Sequence, residues 1–292
     1  METESYKKAG KIAGQALQHG AGFIKEGAKV LDIANAVENK VIALGGRLAF
    51  PVNISINEMS AHCTPLIGDT LTIKADDYVK LDVGAHVNGY IGDTAMTVRP
   101  LGKDDLIICS EKMLENALKV MKPGTTIEEI GEIIEETAKK FGFNPVRNLT
   151  GHSLNQYDLH AGMTIPNIRT SSRYQIREGE IYAIEPFCTA GAGQVKDSGN
   201  AEIFRWLNDR PIRIPEGRVV LELARNDFSR LPFAKRWITG ITKIKLDMIL
   251  RQLIQANAIH PYFPLKEVTN KPVAQSEHTV IVSEKPIITT KL

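Results

Sequence analysis

Two stretches of this chain repeat each other, and an internal repeat limits the possible folds more tightly than any single motif. Lys25-Glu26-Gly27 aligns with Lys122-Pro123-Gly124. Val30, Ile33, Val37 and Gly45 align with Ile127, Ile130, Ile134 and Gly142, every pair 97 residues apart. Helical spacing predicts helices over 4–18, 28–43, 104–121 and 125–140, with Asp104 as a cap and Thr125-x-x-Glu128 as a capping box. Amphipathic helices resemble one another cheaply, so the strands carry the decision. Asp77-Tyr78-Val79-Lys80-Leu81-Asp82 matches Glu180-Ile181-Tyr182-Ala183-Ile184-Glu185 at an offset of 103, and His62 matches His160 at 98. Two helices followed by strands, twice, predict an α+β fold of two α/β halves about a pseudo-twofold axis.

The second half is longer than the first. Asp93 follows Asp82 after 11 residues, whereas Glu277 follows Glu185 after 92. About 80 residues are therefore inserted there, with helices predicted over 217–230 and 243–257. The window 201–260 holds 11 Lys/Arg and 6 Asp/Glu, a net +5 on a chain of net +2. This predicts one domain over 1–292 carrying a basic helical insert at about 196–260. The charge balance of the whole chain does not announce a nucleic-acid or membrane binder, so a local patch is the feature to seek. Three cysteines far apart in sequence (Cys63, Cys109, Cys188) and an opening without an apolar signal core point to the cytoplasm. No stretch is apolar enough to span a membrane.

The chemistry concentrates in YVKLDVGAHVNGYIGDTAMTV. Asn88-Gly89 is a hairpin turn signal, and closing the hairpin there pairs Gly84 with Asp93. Asp82 then shares a face with Asp93, and the two are diagonal neighbours roughly 7–8 Å apart. Two Asp on one strand face could simply meet solvent, but Asp is disfavoured in strands. An EF-hand is excluded by the residues after Asp82. The repeat sets Glu185 beside Asp82 and Glu277 beside Asp93. Four carboxylates at spacings of ~5 Å repel by on the order of 3 kcal/mol per pair at an effective dielectric near 20. They must hold protons or cations, and two divalent ions cancel their charge. His152, in Thr150-Gly151-His152-Ser153, adds one nitrogen, a donor set that suits Mn, Fe, Co or Zn. Gly191-x-Gly193 lacks the third glycine of a dinucleotide loop. Asn53-x-Ser55 and Asn148-x-Thr150 match glycosylation sequons without meaning in the cytoplasm.

The ordered set Asp82, Asp93, His152, Glu185 and Glu277 resembles the dinuclear site of the methionine aminopeptidases, and FPVNISINEMSAHCTP resembles their substrate-binding segment. The long insert before Glu277 is similar to the type 2 enzymes, and the short N-terminus to archaeal ones. The resemblance implies the pita-bread fold, two divalent ions, and removal of the initiator methionine from nascent chains when the next residue is small. It implies that Asp93 and Glu277 bridge the ions, that Asp82 chelates one, and that His152 and Glu185 complete the other. Glu185 would also be the general base. It further implies that His62 and His160 flank the substrate, and that Phe50 and Tyr262 line the methionine pocket. Ordinary core packing explains those last two residues equally well.

Two other readings compete. One is another aminopeptidase of the same fold, such as a proline-specific peptidase; Ala61-His62-x-Thr64-Pro65 and the insert favour the methionine enzyme. The other is a non-catalytic relative that binds ribosomes or RNA, against which all five ligand types stand intact. The expected partners are nascent N-termini, with the basic insert as a candidate ribosome contact, and the expected state is a monomer. Because Glu2 follows Met1, the chain is expected to retain its own Met1.

Overall fold

The structure, a computed structural model, describes residues 2–212 and 214–292; Met1 lies outside them. Six α-helices lie among these residues: α1 (Glu2–Ala21), α2 (Val30–Ala43), α3 (Asp105–Lys119), α4 (Ile127–Lys140), α5 (Pro215–Phe228) and α6 (Lys243–Gln255). The strands that build the cleft are β1 (Asn53–Ile56), β2 (Val79–Val87), β3 (Tyr90–Val98), β4 (Thr150–Ser153) and β5 (Ile181–Ile184). They continue with β6 (Phe187–Thr189), β7 (Ile203–Trp206), β8 (Ile259–Tyr262), β9 (Val273–Gln275) and β10 (His278–Ile281).

The helices form where the apolar spacing predicts, with one shift. Two overlapping capping boxes exist in Thr125-Thr126-Ile127-Glu128-Glu129, and the structure uses the second. Thr126 accepts from the Glu129 amide, and the Glu129 carboxylate accepts from the Thr126 amide at 2.7 Å. Thr126 bridges Gln175 in an extended conformation, as an N-cap requires. Glu128 is thereby freed to pair with Arg169 and Arg173.

Each half has its own core. Ile12, Leu17, Val30, Ile33 and Val37 of α1 and α2 pack on Val79, Leu81, Val83 and Ala85, the apolar face of β2. Met113, Ala117, Ile127, Ile130 and Ile134 of α3 and α4 pack on Tyr182, Ile184 and Val280. A third cluster gathers Phe204, Val220, Leu221, Phe233, Leu246, Ile249 and Leu253 around α5 and α6. It is tied to the first half by Arg236, which pairs with Glu38 and donates to Thr64 at 2.8 Å, and by Trp237, which donates to Glu38 at 3.1 Å.

The first hairpin closes as its turn signal predicts. Asn88 and Gly89 both have positive φ, 53° and 86°, the signature of a type I′ turn, and Gly84 pairs with Asp93. In the second half, β5 and β6 form one side of the corresponding hairpin and β9 and β10 the other. Ile184 pairs with His278 and Phe187 with Gln275, so Glu185 stands opposite Glu277.

That register corrects one pairing. Asp82 stands opposite Ala95, as Glu185 stands opposite Glu277. The axis therefore equates Glu277 with Ala95, and Asp93 with Gln275, two residues away from an alignment made on carboxylates alone. The alignment it respects is Asp93-Thr-Ala-Met-Thr97-Val98 on Gln275-Ser-Glu-His-Thr279-Val280. The axis passes between Ala95 and Glu277, where the Glu277 amide donates to the Ala95 carbonyl at 2.9 Å. On one side the Thr279 hydroxyl accepts from the Asp93 amide and donates to the Asp93 carbonyl, each at 2.8 Å. On the other, Thr97 does the same for Gln275, again at 2.8 Å. Two threonines thus stitch the halves along the seam that carries the acidic residues.

Candidate metal centre and substrate cleft

The pleat and the seam deliver the five expected ligands to one place. Asp82, Asp93, His152, Glu185 and Glu277 line a single pocket. Asp82 and Asp93 stand on one face of the β2–β3 hairpin, because Asp82 is two residues from Gly84. His152 on β4 pairs with Ala183 of β5 and so reaches the same face. Its Nε2 lies 3.5 Å from Glu185 and 3.8 Å from Asp93. Ligand atoms of Asp93, His152 and Glu277 lie within 4.8 Å of one another, and all three residues are buried.

Several polar atoms here have no partner. Asp82 Oδ1 and Asp93 Oδ1 are buried without a hydrogen bond. Buried polar atoms are normally satisfied, so orphaned carboxylate oxygens in a shared pocket fit a cation. The electrostatics agree. Burial, with the Asp82 charge added, holds Asp93 well above the usual carboxylate range. Burial and the neighbouring carboxylates do the same to Glu185 and Glu277, and burial pushes Asp82 up to about 7. Burial pulls His152 down to about 4, which leaves its imidazole neutral and able to ligate.

These shifts carry a pH signature. A carboxyl whose folded pKa is raised stabilises the fold below its unfolded pKa, and that contribution is lost as pH rises through the folded value. For Asp82 the window runs from about 4 to about 7. The melting temperature of metal-free protein should therefore fall as pH rises across this window. Divalent metal should reverse the loss, so the metal-induced rise in Tm grows from pH 5 to pH 8. Scanning calorimetry with and without chelator reads this; a rise that is the same at both pH values contradicts it.

Sequence reasoning passed over several residues of the site. Gln275, fully buried, places its amide 3.4 Å from both Glu185 and Glu277. Asn53, seen in the sequence only as a sequon, pairs with Asp82 across β1 and β2 and lines the pocket. Both are neutral amides and carry no charge signal; the alignment of Gln275 with Asp93 was the cue available for one of them. Lys80, two residues before Asp82, is fully buried and donates to the carbonyls of Asn57 and Val273, each at 2.9 Å. It adds a second link between the halves.

The cleft walls hold the remaining expected residues. The His160 ring lies 4.5 Å from that of His152 and 6.2 Å from that of Tyr262. His62 lies 5.4 Å from Tyr262 and has positive φ, 61°, an uncommon conformation for a side chain of this size. Its Nδ1 is 3.1 Å from the Phe263 carbonyl. A carbonyl only accepts, so Nδ1 carries the proton and Nε2 is left with its lone pair in the neutral ring. Phe50, Leu159, Ile203, Pro232 and Tyr262 supply the apolar wall.

Comparison with known proteins places this architecture. Residues 4–284 match the model of metallopeptidase family M24. A methionine aminopeptidase of Thermococcus onnurineus is 48% identical over 97% of this chain and 97% of its own. Among solved structures, a thermophilic Arx1 superposes with a TM-score of 0.87 at 18% identity, over 99% of this chain and 90% of its own. A methionine aminopeptidase of Thermotoga maritima superposes with a TM-score of 0.74 at 24% identity, over 100% of this chain and 97% of its own. The pita-bread fold is thereby shown, and with it use of a divalent metal, although neither the number of ions nor their identity follows. No described helix is long and apolar enough to cross a membrane. By its sequence, its fold and its full-length relatives, the chain belongs to the methionine aminopeptidases of metallopeptidase family M24.

Proposed function

We propose that this chain removes the N-terminal methionine from nascent proteins whose second residue is small, using two divalent ions held by Asp82, Asp93, His152, Glu185 and Glu277. The observation that carries this reading is the convergence of all five ligand types in one buried pocket with an apolar wall and two histidines. The ions would supply Lewis acidity, making water a better acid and the scissile carbonyl a better electrophile. The protein's own groups do the rest. Glu185, which lines the same pocket, takes a proton from the attacking water and returns it to the leaving amine. His160 donates to the oxygen that gains charge. His62 presents an accepting Nε2 to the substrate nitrogen, held by its bond to Phe263. Phe50 and Tyr262 wall the methionine side chain, for which apolar and aromatic surfaces are suited.

The work belongs in the cytoplasm, where nascent chains emerge. We read 1–292 as one catalytic unit, active as a monomer, with 196–260 as an inserted subdomain. The basic surface of that insert is the proposed ribosome contact, and neutralising it should weaken co-sedimentation with ribosomes at low salt. The activity is tested on peptides with metal added back after chelation. Release of methionine from Met-Ala-Ser, with none from Met-Glu-Ser and no cleavage of Xaa-Pro dipeptides, is the expected pattern. Preferential cleavage of Xaa-Pro substrates would instead favour the proline-specific reading.

A further inference from the structure

Beyond Tyr262 the cleft opens onto an unpaired cation. Tyr262 pairs with Ile203 across β8 and β7, and one rung further along the same ladder His260 pairs with Arg205. Paired residues, and every second residue along a strand, share a face. Ile203, Tyr262, Arg205 and His260 therefore project to the same side. The inner rung lines the pocket, whereas His260 is exposed, so the Arg205 rung stands at the mouth. The rings form a continuous path outward: His160 lies 4.5 Å from His152, Tyr262 6.2 Å from His160, and His260 4.9 Å from Tyr262.

Arg205 is unusual among the cations of this protein. Its Nε is buried without a hydrogen-bond partner, and its guanidinium pairs with no carboxylate among the described residues. Its charge nonetheless reaches the path. The surrounding protein lowers the basicity of His160 and His260, and Arg205 adds to the effect on both. The acids that act on these rings, Asp197 on His62 and Asp158 on Tyr262, leave it unpaired. The guanidinium has no protein carboxylate to pair with among the described residues, and a substrate carboxylate meeting its terminal nitrogens, which are not among the buried atoms, would supply charge-assisted bonds.

We propose that Arg205 is a specificity-determining residue that receives an acidic side chain of the substrate, two or three residues beyond the methionine. The proposal rests on the aminopeptidase reading of the pocket. One rung of the ladder advances about 7 Å, the rise of about two extended residues. A chain whose methionine lies beside Tyr262 and whose second residue lies beside His62 and His160 therefore brings its third or fourth residue to Arg205. An acidic residue immediately after the scissile bond would be crowded by the His62 and His160 rings. Further out it meets a lone positive charge.

The test uses metal-loaded protein and amidated pentapeptides Met-Ala-Xaa-Xaa-Ser in which Glu, Ser or Lys occupies position three or four. The wild type should show kcat/KM about fivefold higher with Glu than with Ser at low salt, a gain typical of one partly screened ion pair. Lys should lie below Ser, and the Glu advantage should shrink in about 0.5 M salt. In Arg205→Gln the Glu-to-Ser ratio should fall to about one, and Arg205→Lys should recover part of it. Lys25→Gln, an exposed charge in the α1–α2 loop, should leave the ratio as in the wild type. A wild-type ratio near one, or the same ratio in Arg205→Gln, overturns the proposal. If Arg205→Gln does not fold, the wild-type ratio and its salt dependence still decide the matter. Failure of the wild type to release methionine from the Ser peptide would overturn the aminopeptidase reading instead.

Discussion

Asp93→Ala should lower methionine release by at least about a thousandfold and, at pH 8, raise the melting temperature of the metal-free protein. The first effect follows from losing a ligand proposed to bridge both ions, since each 1.4 kcal/mol of lost transition-state stabilisation costs tenfold. The second separates a metal ligand from a structural aspartate. In metal-free protein Asp93 is buried among Asp82, Glu185 and Glu277, and each like-charge pair at ~5 Å costs on the order of 3 kcal/mol. Removing one member relieves that repulsion. The backbone clamp by Thr279 is untouched, because it holds the amide and carbonyl of residue 93 rather than its side chain. Added metal should then no longer raise Tm as it does in the wild type. A metal-free Asp93→Ala protein that melts lower than wild type would mean that the carboxylate holds the fold together rather than a cation.

Gly84→Ala should destabilise the protein by about 1–3 kcal/mol and raise KM for methionyl substrates more than it lowers kcat. Gly84 pairs with Asp93, and an added Cβ would lie 2.2 Å from the Phe50 ring. Phe50 is 4% exposed and lines the pocket, so it can move only by deforming the proposed methionine wall. The carboxylates stand on other residues and should keep their positions. Phe50→Leu in the same chain frees space for the new methyl and should restore much of the stability. Denaturant unfolding and steady-state kinetics measure both effects. An unchanged KM in Gly84→Ala would remove Phe50 from the substrate wall.

The parts of the site that lay open in the sequence are those fixed by local rules. Asn88-Gly89 admits one turn type, and that turn alone determines that Gly84 faces Asp93 and that Asp82 shares their face. No comparable local rule governs the second hairpin, whose strands are separated by the insert. Aligning acid with acid set Glu277 on Asp93, whereas the pleat sets it on Ala95 through Thr97-Val98 and Thr279-Val280. The threonine stitch depends on hydroxyls bonding to backbone nearly two hundred residues away, which no window of sequence displays. The capping box was ambiguous because Thr125 and Thr126 both have a Glu three residues on, and the contact with Gln175 chose between them. Arg205 and His260 meet only because β7 and β8 pair across the insert.

On the proposed mechanism these five side chains hold two divalent ions, and methionine release requires them. The most direct test is a titration of chelated protein with a divalent metal, following bound metal by elemental analysis and methionine release from Met-Ala-Ser together. No release without metal, activity that rises with occupancy, and saturation at two ions per chain are expected. Undiminished release from protein shown to contain no metal would contradict the mechanism.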